Sequence, residues 1–406
     1  MSGLVLAGGG HSHALVLRRW AMQPSKRPSN LITLVSRTST ALYSGMVPGL
    51  IAGIYQRAQV AVDLRDLTDQ AGVALVVAEI TGLDLRNQQL HLDQRPSLPY
   101  EHLSLNLGAE TSTNPAQNLE LVPIKPLEPA LAFLADQDRQ MGQQDLATSL
   151  FQVVGSGLAA VETVLALRQR WPMRPLVLRI RPGCLQPILI KALEKAEIQI
   201  IGTSEMDQTK QFQTTAGLLC TGSQAPHWLA DHDLPCCPNS GRIRTEMSLQ
   251  VIGHPNLFAA GDCAVIDAHP RSPSGVWAVR AAKPLARNLE ATCSGRPLKR
   301  WRPQDQALQL LGGFRDREPL AWALRNHRIL GPHPLLWRWK AAIDARFMAM
   351  FRRSSSMNSI ETMACRGCAA KLPAGPLESA LQQAGIAALG TDPEDAAVLP
   401  LNAAAG

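Results

Sequence analysis

The sequence predicts an α/β protein that contains two similar strand–turn–helix–strand units. An apolar strand at 3–7 leads into three glycines, a helix at 13–20 and a strand at 31–35. The same order returns with a strand at 150–154, a Gly-Ser-Gly turn, a helix at 159–168 and a strand at 175–180. Further short apolar segments end in small residues: 73–77, 102–107, 217–219 and 257–259. Since ligands of open α/β sheets bind beyond the carboxyl ends of strands, we expect two Rossmann-like dinucleotide-binding domains and a small C-terminal segment.

The composition is typical of a globular protein. Of 406 residues, 46% are hydrophobic and 18% are charged, and no long uninterrupted apolar run predicts a membrane span. No basic segment or cleavage site precedes the first strand, so we expect a cytoplasmic protein. The eight cysteines lack a framework spacing and predict free thiols.

The net charge of +7 is concentrated in one segment. Residues 296–353 hold 13 Lys and Arg against four Asp and Glu, so the rest of the chain carries a net −2. A helix within 335–353 places Trp339, Ile343 and Phe347 at helical spacing among arginines, which is typical of a helix in an anionic lipid interface. The alternative is a helix packed on the first domain with arginine stems over apolar surface. The local charge gives no indication of nucleic-acid binding.

The first glycine turn fits the dinucleotide fingerprint at Gly8 and Gly10, which allow a tight turn and a close approach of a pyrophosphate to the helix N-terminus. His13 stands where a third small residue is usual, so we expect looser packing or an added polar contact. At the end of the second strand Ser36, followed by Arg37, replaces the usual acid. A serine still hydrogen-bonds a ribose hydroxyl, more weakly than a carboxylate does.

The second turn, Gly155-Ser156-Gly157, is closer to the fingerprint, with Ala160 as the third small residue. Arg179 and Arg181 follow where an acid is usual. Arginines there would suit the 2′-phosphate of NADPH, so we expect either NADPH or NADH as the nucleotide. The alternative is that both arginines are simply solvated and bind no phosphate. A late Gly261-Asp262 follows another strand, and its carboxylate can accept hydrogen bonds from sugar hydroxyls.

This order of motifs resembles the two-dinucleotide-binding-domain flavoproteins, the pyridine nucleotide-disulfide oxidoreductase family, over roughly residues 1–350. The resemblance implies FAD and NADH or NADPH as cofactors. It implies FAD contacts at Gly8, Gly9, Gly10, His11, Ser12, Ser36, Arg37, Pro48, Gly108, Gly261, Asp262, Trp277 and Ala278. For NAD(P)H it implies Gly155, Ser156, Gly157, Glu162, Arg179, Arg181, Thr221 and Gly222.

The spacing of the cysteines distinguishes the branches of this family. The disulfide reductases use a Cys-x4-Cys pair, which this sequence lacks. The chain therefore resembles the type II NADH:quinone dehydrogenase branch, and the resemblance implies a quinone as acceptor. The sulfide:quinone branch uses separated cysteines, for which Cys184 and Cys293 are available.

The C-terminal tail is similar to the start of selenide, water dikinase. The resemblance places Cys368 three residues before an essential lysine, Lys371, and gives Asp395 a role in Mg-ATP binding. We expect no selenophosphate synthesis from these 46 residues, 361–406, which would be a truncated part of a fusion. The second functional hypothesis is accordingly a flavoprotein module that delivers reduced selenium or sulfur to such a synthetase.

Together these observations predict five segments. They are an FAD-binding domain at 1–112 and 246–295, an NAD(P)H-binding domain at 113–245, a basic Trp-rich segment at 296–352, a linker at 353–360 and the tail at 361–406.

Overall fold

Apolar segments of the sequence form two separate sheets with parallel strands. The structure is a computed structural model that describes residues 3–112, 121–141, 149–202, 216–315, 318–326 and 328–352. The strands are β1 (Gly3–Ala7), β2 (Ile32–Ser36), β3 (Thr40–Leu42), β4 (Ala61–Asp63), β5 (Ala74–Val77), β6 (Ile80–Asp84), β7 (Gln89–Leu92), β8 (Arg95–Leu105), β9 (Glu110–Thr111), β10 (Leu121–Pro123), β11 (Phe151–Val154), β12 (Leu176–Ile180), β13 (Ile198–Gly202), β14 (Gly217–Leu219), β15 (Ser223–Gln224), β16 (Ile243–Thr245), β17 (Gln250–Val251), β18 (His254–Ala259), β19 (Ala264–Ile266), β20 (Gln309–Arg315), β21 (Glu318–Arg325) and β22 (Arg328–His333).

The helices lie mostly between parallel strands. They are α1 (His11–Met22), α2 (Val47–Ile51), α3 (Arg57–Val60), α4 (Leu64–Ala71), α5 (Leu127–Met141), α6 (Leu158–Arg170), α7 (Pro187–Lys195), α8 (Gly275–Thr292) and α9 (Pro334–Ala349). No helix in these described ranges is both long and apolar enough to span a bilayer.

The first sheet has the order β19-β16-β17-β18-β8-β1-β2-β5, and the hairpin β6-β7 joins it through β8. Its centre is parallel: β1 lies between β2 and β8, with Leu6 opposite Leu34 and Ser104. All five residues of β1 are buried, because helices or loops cover both faces, as in doubly wound folds. Helix α1 packs on α8, with Leu17, Trp20 and Leu285 in the shared core.

The second sheet is entirely parallel, with the order β10-β14-β11-β12-β13. Helices α5, α6 and α7 accompany it, and its core contains Phe151, Val164 and Trp171. A third, antiparallel sheet, β20-β21-β22, packs on α6 and α9. The observed architecture confirms the predicted α/β class with Rossmann-like units.

The predicted boundaries differ from the structure at two places. Strand β8 begins at Arg95 rather than 102, because its first half pairs with β7. Strand β16 pairs with β19 and β17 of the first sheet, although we expected residues up to 245 to belong with the second unit. The chain divides into the compact units Met1–Arg352 and Arg353–Gly406, and all described residues lie in the first.

Candidate active site

The first glycine turn connects β1 to α1 and lies against Asn106, the residue that follows β8. Gly8 has φ +99°, and a Cβ there would lie 2.4 Å from the Asn106 carbonyl oxygen. A Cβ on Gly10 would lie 2.2 Å from the Asn106 side-chain oxygen. Both positions therefore require glycine, because a larger residue would displace the neighbouring strand end.

Asn106 organises this turn, and our sequence analysis did not select it. Its Oδ1 accepts from the backbone N–H groups of Ser12 (3.1 Å) and His13 (3.3 Å), and its Nδ2 donates to the Ala260 carbonyl (2.7 Å). The side chain thus caps α1 from outside the helix and joins the ends of β8 and β18. The available signal was a polar residue directly after a buried strand and before Gly108.

His13, which stands where the fingerprint usually has a third small residue, makes polar contacts. This is one of the two outcomes that we expected. The ring is buried and lies 2.7 Å from the Gly8 carbonyl through Nδ1 and 2.8 Å from Ser104 Oγ through Nε2. Burial lowers the pKa of His13 to about 4, so the ring is neutral at neutral pH. Ser12 Oγ donates to the Ala278 carbonyl (2.7 Å), which ties α1 to the first turn of α8.

Beside the first turn, the buried atoms His11 Nε2 and Asp262 Oδ1 have no hydrogen-bond partner among the described residues. The other carboxylate oxygen of Asp262 accepts from Lys125 Nζ at 2.9 Å. Burial lowers the pKa of His11, the Asp262 carboxylate opposes this lowering and the Lys125 ammonium adds to it. The late Asp-containing turn and the first glycine turn therefore meet, and Lys125, which we did not select, joins them.

The remaining residues expected near FAD lie around this turn. Ser36 is buried, with Oγ 2.6 Å from where a Cβ of Gly9 would lie. Arg37 forms a two-point ion pair with Glu79, so its guanidinium already has a partner. Trp277 lies between the guanidinium carbons of Arg271 (4.9 Å) and Arg280 (5.2 Å). Pro48 is in the first turn of α2, and Gly108 (φ +76°) follows β8.

The second glycine turn connects β11 to α6. Ser156 Oγ accepts from the backbone N–H of Arg181 (2.7 Å), which fixes the turn against the end of β12. Arg181 is exposed. Arg179 contradicts the expectation for a phosphate ligand: it is 3% exposed, and its Nε donates to Gln152 within the sheet (2.8 Å).

Thr221 and Gly222 bond to the backbone of Ser112. Thr221 Oγ1 donates to the Ser112 carbonyl (2.7 Å), and the Ser112 N–H donates to the Gly222 carbonyl (3.0 Å). These residues join the two chain segments that enter and leave the second sheet, alongside the β9-β15 pair.

Glu162, which the resemblance placed among the NAD(P)H contacts, hydrogen-bonds the third sheet. It is partly buried on α6 and accepts from the Gly312 N–H of β20 (2.7 Å). Burial raises the pKa of Glu162 to about 7, and the positive charge of Lys340 partly opposes that increase. Lys340, on α9, donates to Asp344 Oδ2 (2.8 Å) and to the Gly45 carbonyl (2.6 Å).

This buried network extends to the loop between β3 and α2. Tyr43 hydrogen-bonds Asp344, and burial raises the pKa of its hydroxyl. Its ring stacks on Phe347 of α9 (4.2 Å between centroids) and meets His11 edge-on (5.6 Å). Helix α9 thus connects α6 of the second unit to the first glycine turn. The sequence analysis left the position of this helix open between a lipid interface and packing on the first domain, and it did not single out Lys340 or Asp344.

The described cysteines form no disulfide, and no group of metal-binding side chains occurs among the described residues. Cys184 lies exposed after β12, and Cys293 follows α8. Cys368, Lys371 and Asp395 lie outside the described residues.

One sheet with a parallel centre and one entirely parallel sheet, each with a glycine-rich turn between a strand and a helix, define a protein with two dinucleotide-binding units. The chain belongs to the pyridine nucleotide-disulphide oxidoreductase family, whose sequence model matches residues 7–282. Members of this family bind FAD and NAD(P)H, and the protein is an NAD(P)H-dependent flavin oxidoreductase.

The chain is similar to two curated relatives and shares its fold with a solved structure. The chain is 25% identical to human Ferroptosis suppressor protein 1 over 58% of this chain and 68% of the relative. It is 25% identical to Demethylphylloquinone reductase NdbB of Synechocystis over 69% of this chain and 77% of the relative. The sulfide:quinone oxidoreductase structure from Aquifex aeolicus has the same fold, with a TM-score of 0.65, 15% identity and coverage of 87% of this chain and 92% of that one.

Proposed function

We propose that this protein oxidises NAD(P)H and reduces a quinone. The observation that carries the proposal is the cluster of Glu162, Lys340 and Asp344 between the second unit and the Tyr43–Gly45 loop, in which Lys340 and Asp344 are buried and bonded to each other and Glu162 is partly buried. Quinone reduction consumes protons as well as electrons, and this network offers an acid whose pKa lies near neutrality. One relative is named a demethylphylloquinone reductase, which agrees with a quinone as acceptor.

The residues around the first turn fit a flavin nucleotide. Asp262 presents a buried carboxylate oxygen without a protein partner, which suits a sugar-alcohol hydroxyl, and Lys125 adds a positive charge beside it. We propose that FAD binds along Gly8, Gly10 and Asp262 and that the nicotinamide nucleotide binds at Gly155–Gly157. This assignment makes 1–112 and 223–295 the FAD-binding part and 113–222 the nucleotide-binding part. FAD held by these residues would supply the redox chemistry, which is hydride acceptance from the nicotinamide and transfer of two electrons to the acceptor.

The protein's own task is then binding and proton supply. Oxidation of NADH by a quinone takes one proton from solvent in addition to the transferred hydride. The pKa of Glu162 is about 7, and the positive charge of Lys340, which donates to the Gly45 carbonyl, favours the ionised form of that carboxyl. Glu162 can therefore release and take up a proton at physiological pH, which is what a general acid in quinone reduction must do.

Stopped-flow kinetics of the FAD-loaded protein test the proposal. We expect NADH to reduce the flavin and a soluble short-chain quinone to reoxidise it. Glu162→Gln should slow reoxidation at least about tenfold, within the range of general acid–base effects, and change flavin reduction little. Glu194→Gln, an exposed glutamate on α7, is the matched control. A flavin that NADH reduces but no quinone reoxidises would disprove the function.

We further propose that α9 contacts an anionic membrane, where quinones dissolve. One face of α9 packs on the protein through Trp337, Lys340 and Phe347, as the packed-helix alternative expected. The other exposes Leu335 (61%), Trp339 (46%) and Ile343 (43%) beside two exposed arginines, Arg338 and Arg346. An apolar stripe flanked by arginines suits the lipid interface.

Co-sedimentation with vesicles that contain anionic lipid tests this contact. The wild type should sediment, and a Trp339→Glu/Ile343→Glu variant should remain in the supernatant. Glu194→Gln, at an exposed site on α7, should behave as the wild type. Equal sedimentation of the wild type and the double variant would refute the contact.

The selenium hypothesis remains a second proposal, supported by the sequence of the tail around Cys368, Lys371 and Asp395. A module that delivers reduced selenium or sulfur would bind FAD without turnover on quinones. Steady-state NAD(P)H oxidation with quinone, selenite or polysulfide in parallel separates the two functions. Turnover with quinone alone favours the dehydrogenase.

A further inference from the structure

A cavity of about 460 Å³ lies beside the second glycine turn. Ser156 and Gly157 form one wall, and the segment from Cys184 to Leu189, which follows β12, forms another. The third wall is formed by the end of β21 and the start of β22, with Arg325 and Arg328. The cavity therefore joins the start of α6 to a hairpin that comes about 170 residues later in the chain.

The position of this hairpin is fixed by contacts along α6. The Gly312 N–H donates to Glu162, one turn into α6, and Gln309 of the same strand pairs with Leu324. Arg325 then pairs with Arg328 across the turn. Because β20 runs beside α6, its first residue and the hairpin end lie next to the helix N-terminus.

The charges around the cavity are all of one sign. Among the described residues that line it, Arg325 and Arg328 are the charged ones, and no Asp or Glu accompanies them. Both arginines are exposed and have no ion-pair partner within the described ranges. Two guanidinium groups that line a cavity at a helix N-terminus favour an anionic group bound in that cavity.

The fold indicates which anionic group this is. In a dinucleotide-binding unit the pyrophosphate lies at the helix N-terminus, and the adenosine ribose lies at the end of the second strand, here β12. The wall from Cys184 to Leu189 follows β12, so the two arginines lie on the ribose side. Arg179 of β12 is buried against Gln152, so binding of a group on the ribose must come from residues outside β12.

We propose that Arg325 and Arg328 bind the 2′-phosphate of NADPH and thereby give this protein a preference for NADPH over NADH. This inference rests on the proposed nucleotide site at Gly155–Gly157. The selectivity would then be provided by the C-terminal hairpin, across the cleft from the strand that usually provides it.

Calorimetric titration with two fragments, 2′,5′-ADP and 5′-AMP, isolates the 2′-phosphate without any turnover. For the FAD-loaded wild type we expect 2′,5′-ADP to bind at least about tenfold more tightly, since a hydrogen bond to a charged group contributes about 1.5–3 kcal/mol. Arg325→Ala/Arg328→Ala should abolish that ratio and leave 5′-AMP binding unchanged. Arg325→Lys/Arg328→Lys should retain part of the ratio.

Control variants separate this inference from its alternatives. Arg338→Ala, on the exposed face of α9, should keep the full ratio. Loss of the ratio on Arg181→Ala with retention in the Arg325/Arg328 double variant would overturn the proposal, as would equal weakening of both fragments by the double variant. An absent preference in the wild type would also overturn it. Failure of quinone to reoxidise the flavin, with the fragment ratio intact, would disprove the proposed function and leave this inference standing.

Discussion

Replacing Glu162 with glutamine should change how stability depends on pH. Burial raises the pKa of Glu162 from 4.5 to about 7. Between these values the folded protein binds more protons than the unfolded chain, so the free energy of unfolding falls as pH rises. A pKa that differs by one between the folded and unfolded states corresponds to about 1.4 kcal/mol, so this one group should lower stability by about 2–3 kcal/mol between pH 5 and pH 8.

Glu162→Gln removes the titration and keeps an oxygen that can accept from the Gly312 N–H. When the pH is raised from 5 to 8, the free energy of unfolding should therefore fall by about 2–3 kcal/mol less in the variant than in the wild type. Urea unfolding followed by circular dichroism at both pH values measures this difference, and the exposed Glu194→Gln is the matched control. Parallel pH dependences for the wild type and Glu162→Gln would refute the assignment of a raised pKa to this carboxyl.

Three further predictions concern the first turn. Asn106→Ala removes three hydrogen bonds to buried backbone groups and should lower the free energy of unfolding by about 2–4 kcal/mol in urea titrations; an unchanged midpoint would contradict its capping role. The pKa of His13 is about 4 in the folded protein and 6.5 in the unfolded chain, so the unfolded chain binds more protons between these pH values and the free energy of unfolding falls by about 3 kcal/mol as pH falls from 6.5 towards 4. His13→Gln removes this titration and should reduce the loss of stability on acidification by that amount. Asp262→Asn should weaken FAD binding at least about tenfold, because a neutral amide oxygen accepts a hydrogen bond from a sugar-alcohol hydroxyl less strongly than a carboxylate does. Recovery of flavin fluorescence on dilution measures that loss, and equal retention of FAD by the variant would argue against the proposed ribityl contact.

The elements that could be predicted from sequence are those whose cause is local. Strand β1 and the Gly8–Gly10 turn were predicted because the apolar run and the glycines are adjacent, and the structure has the strand at the expected residues. His13 was recognised as unusual from its position alone. The partner that makes Gly10 necessary, Asn106, lies 96 residues further on, so no short motif contains both.

Arg179 and Lys340 show why the rest could not be predicted. The expectation for Arg179 assumed that the last residues of a strand face the ligand, but β12 is buried on both faces and Arg179 meets Gln152 inside the sheet. Lys340 belongs to a helix whose composition suggested a surface. Its burial follows from packing against the Tyr43–Gly45 loop, which depends on the tertiary fold.

The contacts of Ser112 with Thr221 and Gly222 have a consequence for how the protein can be altered. The strands β9 and β15 pair at the point where the chain leaves the first sheet and returns to it, so the two ends of the intervening segment are neighbours. A short linker from Thr111 to Ser223 could therefore replace that segment with a small loop-closure cost. Exchange of residues 113–222 for the equivalent segment of a relative becomes a practical way to transfer nucleotide preference, with the β20–β22 hairpin transferred alongside.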